Sequence, residues 1–276
     1  MTRLDAALAG PALWPHQRTT IDRVHAHFAA DPTVVALLLT GSIAHGFATA
    51  ASDVDIVIVV GPDEWERRRA ATALTYLNHD LATYAGGYVD GKFVSLPFLR
   101  DVAERGGDAT RWGYEGARVL FTRDPELPAV LSDVVSFPTA LRSERRARFV
   151  AQLLAWRWYG EQGVDKGDPY LTTMARARVA LFACRIVLNQ NDMLYPFHKW
   201  LLRVTGQAPR RPADVVDRVR ALLAGDAPWA QVDAFVDDLL AFYEVDRAEA
   251  ECTWGAHFLR DTEVSWLAGP PAVDDL

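Results

Sequence analysis

The chain has 276 residues, half of them hydrophobic, a net charge of −7 and two cysteines, Cys184 and Cys252, without a paired spacing. That length supplies one generous core or two ordinary ones, and the cysteine usage excludes a disulfide scaffold or a cysteine-based zinc site and suits a reducing compartment. No apolar run is long enough for a membrane span, the first residues lack a basic stretch followed by a hydrophobic one, and basic residues are massed only at 66–69 and 142–148, on expected helices; a soluble cytoplasmic protein without a nucleic-acid footprint is expected.

Taken in order, residues 15–30 carry helical spacing through Ile21, Val24, His25 and Phe28, stopped by Asp31-Pro32. The run Val34–Leu39 ends at Thr40-Gly41-Ser42, and the run Val54–Val60 opens with Ser52-Asp53 and closes with Gly61-Pro62, so both read as buried central strands. Pro62 suits the first turn of a helix predicted to continue through Trp65, Ala70 and Leu74 to Leu77, before Gly86-Gly87 breaks the pattern. Tyr88-Val89 and residues 92–96 flank Asp90-Gly91, a dipeptide suited to a tight turn, which predicts a β-hairpin. Residues 118–122 add a further strand.

From about Leu141 strand signals vanish, and helical periodicity predicts helices at 141–160, 170–190, 197–205, 212–224 and 230–246. The expected architecture is therefore an α/β (α+β) domain with a mixed sheet over residues 1–137, followed by an all-α helical bundle over 138–276, with Phe137-Pro138 at the junction and the working cleft between the two.

The chemistry is concentrated in residues 39–59. Gly41 lets the backbone approach a phosphate, while Ser42 and the amides that open the following helix aim donors at it, which together make an anion cradle. Asp53 and Asp55, two apart on a strand, leave the same face, where two hard carboxylates can share octahedral Mg2+ with triphosphate oxygens. Val54, Ile56 and Ile58 point the other way into a core. His45, in the intervening turn, either hydrogen-bonds phosphate or an acid, or satisfies local backbone.

A hydrophobic strand, Gly41-Ser42, His45-Gly46 and then Ser52-Asp53-Val54-Asp55 resemble the signature of the nucleotidyltransferase superfamily related to DNA polymerase β. The order of an α/β domain and a helical one is similar to the small bacterial members that modify antibiotics such as aminoglycosides and lincosamides. The resemblance implies a nucleotidyltransferase with Asp53 and Asp55 as catalytic metal ligands and ATP or another nucleoside triphosphate as co-substrate. It also implies a third carboxylate on a later strand, as metal ligand or proton acceptor. In residues 91–96 the matching position holds Ser95, which cannot act as that base; Asp90 serves if the register is shifted, or is simply a turn residue, and Asp101, Glu104, Glu161 and Asp165 are further candidates.

Two lysines complete the reading. Lys199 follows Tyr195-Pro196 in the first turn of a helix, where a cation opposes the dipole, so it reaches a phosphate or substrate carboxylate, or is an exposed lysine beside Trp200. Lys92 is a cation near the site or an edge-strand charge. The function expected is Mg2+-dependent transfer of a nucleoside monophosphate to a hydroxyl of a small molecule, cationic to suit the acidic chain and aminoglycoside-like by resemblance. A protein or RNA acceptor of the toxin-antitoxin kind, or a nucleotide-binding regulator without transfer activity, stands as the alternative.

Overall fold

The computed structural model describes residues 3–9, 13–225 and 227–269, which fall into two compact units divided between Ser136 and Phe137. The first unit is built on a five-stranded mixed sheet. In chain order it holds α1 (Arg3–Ala7), α2 (Pro15–Ala29), β1 (Val34–Leu39), the single turn α3 (Gly41–Ala44), β2 (Val54–Val60), α4 (Pro62–Ala70), β3 (Thr75–Asn78), β4 (Val89–Ser95), α5 (Leu96–Arg105), α6 (Asp108–Trp112), β5 (Arg118–Thr122) and α7 (Leu127–Val135).

The strand order is β3-β4-β2-β1-β5, with β2 and β4 parallel and the other neighbours antiparallel. Side-chain alternation sends Val54, Ile56 and Ile58 of β2 and Val89 and Phe93 of β4 into one core, closed by Ile21, Val24 and Phe28 of α2. Val57, Val59 and Val94 enter the opposite core, closed by Leu99 and Val102 of α5 and by Leu127 and Val134 of α7. Burial on both faces explains why β1 and β2 read as continuous apolar runs.

Two predictions fail here. The predicted helix through Leu77 stops at Ala70; Thr72 takes a φ of +55°, and Thr75–Asn78 is the edge strand β3. A β-branched and aromatic stretch beside an available partner wins over weak helical spacing. The predicted hairpin does not form either, because Asp90 and Gly91 lie inside the continuous strand β4, hydrogen-bonded to β2 on one side and β3 on the other. Gly91 serves close approach instead of a turn, since a Cβ there would lie 2.7 Å from the Ile56 side chain and 2.9 Å from its carbonyl oxygen.

The second unit contains a 3-10 turn at Thr139–Leu141 and the helices α8 (Arg142–Asp165), α9 (Pro169–Gln190), α10 (Phe197–Gln207), α11 (Val215–Ala224), α12 (Trp229–Phe242) and α13 (Arg247–Asp261). The last of these lies beyond the final predicted helix at 230–246; Asp246 caps it by accepting from Glu249 N. α8 packs along α9 and also meets α12 and α13. Gly160 makes the α12 contact possible, because any Cβ there would overlap the Trp229 ring. Among the described residues, no helix is long and apolar enough to cross a membrane.

Candidate active site

The candidate site stands at the end of β2 and β4 where both strands begin. Parallel pairing sets Asp55 opposite Asp90, and alternation puts both on the face of Val57, Val59 and Val94. One carboxylate oxygen each of Asp53, Asp55 and Asp90 falls within 4.8 Å of the others, and among the described residues this is the cluster whose donor set suits a metal. Asp53 and Asp55 are half-buried, whereas Asp90 is exposed.

The Gly41-Ser42 bend lies directly against this cluster. Gly41 has a φ of +63°, and a Cβ on it would overlap the Asp55 carboxylate, so glycine is required both by the backbone and by the acid pressed against it. The next side chain, Ser42, is buried at 6% exposure, and its Oγ has no hydrogen-bond partner among the described residues. An orphaned buried hydroxyl is costly unless a ligand completes it. Hard oxygen donors on one side and an unfilled hydroxyl over an open bend on the other fit a divalent cation with a phosphate group.

Several residues with no motif of their own hold this frame. Gln17, fully buried on α2, donates to Thr49 O at 2.9 Å and Ser52 O at 3.2 Å, tying down the segment that leads into Asp53. Tyr84 Oη donates to Ser52 O at 2.6 Å, and His16, whose ring lies 4.5 Å from that of Tyr84, contacts Ala50 O at 2.8 Å. The Tyr88 phenol faces Asp53, and hydrogen bonding toward that carboxylate, followed by its charge, raises the phenol's pKa; burial and then Asp53 and Asp55 raise that of Tyr84. These contacts join segments distant in sequence, so local pattern gives no signal for them; the aromatic pair flanking Gly86-Gly87 is the nearest to one.

The remaining predicted residues divide. His45 ends α3 and stacks on Trp112 with centroids 3.7 Å apart and planes 12° apart. Burial pushes its pKa down to about 4, so at neutral pH it offers an N–H and no charge. Ser95 is not the third acid's equivalent: it caps α5, its Oγ accepts from Phe98 N at 3.2 Å, and an odd step from Asp90 puts it on the opposite sheet face. Asp101 pairs with Arg105 at 3.2 Å on α5. Lys199 lies exposed in the first turn of α10, its Nζ 5.3 Å from the Trp200 ring centroid, in the second unit. Glu161 and Asp165 belong to α8 of that same unit. Lys92 sits in an interior strand and is no edge charge; its side chain reaches solvent, although crowding by neighbouring groups lowers its pKa while Asp55 opposes the shift.

Comparison with known proteins bears on this geometry. Residues 21–91 match the family model described as "Nucleotidyltransferase domain". The match runs from within α2 to Gly91 and so contains Gly41, Ser42 and all three aspartates. In structure the chain is similar to a nucleotidyltransferase-like protein from Exiguobacterium sibiricum 255-15, with 13% identity and a TM-score of 0.46 over 90% of this chain and 79% of that one. No curated protein matches the sequence.

Proposed function

We propose that the chain transfers a nucleoside monophosphate from a nucleoside triphosphate, ATP being the first to test, to a hydroxyl of a small molecule. The single observation that supports this best is the meeting of Asp53, Asp55 and Asp90 beside the Gly41 bend and the unpartnered Ser42 hydroxyl. Asp53 and Asp55 hold Mg2+ with the phosphates, and Ser42 donates to a phosphate oxygen. When bound, the metal screens the phosphate charge and supplies Lewis-acid stabilisation of the transferred group. Asp90, exposed on the open side, takes the proton from the acceptor hydroxyl as that oxygen bonds to the α-phosphorus. The bond from the α-phosphorus to the bridging oxygen breaks, and pyrophosphate leaves with its electron pair.

Asp90 in the cluster offers the third carboxylate that Ser95 does not, which supports transfer over the alternative of a binding protein without activity. The net charge of −7 favours a cationic acceptor, and an α/β domain followed by a helical one, the order found in antibiotic-modifying members, makes an aminoglycoside-like polyamine the first to try. The test is transfer of label from α-labelled ATP to a panel of such acceptors with Mg2+. Asp53→Asn and Asp55→Asn should each lower it by about a thousandfold or more without loss of helical circular dichroism. Transfer retained in both variants sinks the proposal.

A further inference from the structure

Lys92 has no role in the reaction just described, yet its side chain stands exposed beside the acids that do. Alternation from Asp90 puts its side chain on the acid-bearing face of this interior strand. Its ammonium lies 4.8 Å from the centroid of the Tyr114 ring, a residue 2% exposed. Among the described residues none accepts a hydrogen bond from Lys92 or completes an ion pair with it, although the charge of Asp55 reaches it.

Tyr114 belongs to a turn, residues 113–116, that links this cation to the Gly41-Ser42 bend. A Cβ on Gly113 would lie 3.9 Å from Lys92 Nζ, and one on Gly116 would lie 3.0 Å from the carbonyl oxygen of Ala44, the last residue of α3. Trp112, just before the turn, stacks on His45 just after α3. One end of the turn thus borders the ammonium and the other rests on the helix that carries Ser42. An exposed cation that keeps its donors clear of protein acceptors, set by an aromatic face between the acid cluster and the Gly41-Ser42 bend, can meet an anion bound there.

We propose that Lys92 is a ligand of the nucleotide's triphosphate tail, donating to a non-bridging oxygen beyond the α-phosphate; the inference rests on the function proposed above. It then balances charge that grows on pyrophosphate as it leaves. Isothermal titration with Mg2+ and α,β-methylene ATP, which cannot be cleaved at the transferred position, and with AMP in parallel, tests it. Lys92→Met should weaken the triphosphate analogue by about tenfold or more while changing AMP by less than about twofold, and Lys92→Arg should restore most of the loss. If Lys92→Met does not fold, Lys92→Gln gives the same ratio. Equal effects on both nucleotides, or a lower melting temperature with unchanged affinities, overturn the proposal and leave Lys92 as a counter-charge to the acids. A wild-type chain that binds neither nucleotide overturns the reading beneath it as well.

Discussion

β2 and β4 run side by side in parallel and each carries an acid at the same level, but the two strands hold their acids differently. Asp55 is pressed against Gly41, and Asp53 faces the Tyr88 phenol while Gln17 and Tyr84 fasten the segment before it. Asp90 rises from a strand of the same sheet into solvent. Fixed carboxylates suit metal ligands, whose positions must not change as the nucleotide binds, and a reachable carboxylate suits a proton acceptor that must meet a variable hydroxyl. The contrast suggests that the β2 side sets the geometry and the β4 side does the proton transfer.

Three experiments can break or sharpen that contrast. Asp90→Asn carries the largest expected effect: the transfer rate should fall about 10²- to 10⁴-fold while affinity for Mg2+ and α,β-methylene ATP stays within about threefold. Because three neighbouring acids repel without a cation, the metal-free variant should melt no lower than wild type. A drop in metal affinity equal to the drop in rate would move Asp90 to the ligand side and dissolve the contrast.

Gly41→Ala tests the fixed side. The methyl must displace the Asp55 carboxylate from a backbone already at a φ of +63°, so we expect a loss of about 2–4 kcal/mol in denaturant unfolding, together with weaker Mn2+ binding. A fully stable variant with wild-type metal affinity would show that the bend is not pressed on the acid.

The smallest effect concerns pH. The folded state holds His45 neutral down to about pH 4, whereas the unfolded chain takes up a proton near its ordinary value of 6.5. The unfolded state therefore binds more protons in that window, and stability, complete above about pH 6.5, declines as pH falls toward 4, by at most about 3 kcal/mol. Urea unfolding of wild type and His45→Phe across that range checks it; the variant should lose this part of the acid slope. An unchanged slope would mean that the imidazole accepts its proton in place, and that the stack on Trp112 does not stiffen the β2 side.

Much of the first unit was legible without coordinates, and the reason is local. Apolar alternation fixes which face of β2 holds Asp53 and Asp55, a glycine followed by a hydroxyl names the bend, and Asp31-Pro32 and Gly61-Pro62 punctuate the elements. Five of the six bundle helices follow from periodicity; α13 escaped because Ala250 is the one residue it buries, so it carries little apolar stripe, whereas α12 buries six residues.

What the sequence alone determined is the pair of acids, the Gly41-Ser42 bend beside them and the class of fold. The tertiary structure decided the third acid, because Asp90-Gly91 has the composition of a turn and only pairing with β2 on one side and β3 on the other makes it a strand. Backbone hydrogen bonds are alike for every register, so the choice of partner is settled by what the side chains meet across strands: Gly91 leaves room for Ile56, and that fit sets Asp90 level with Asp55.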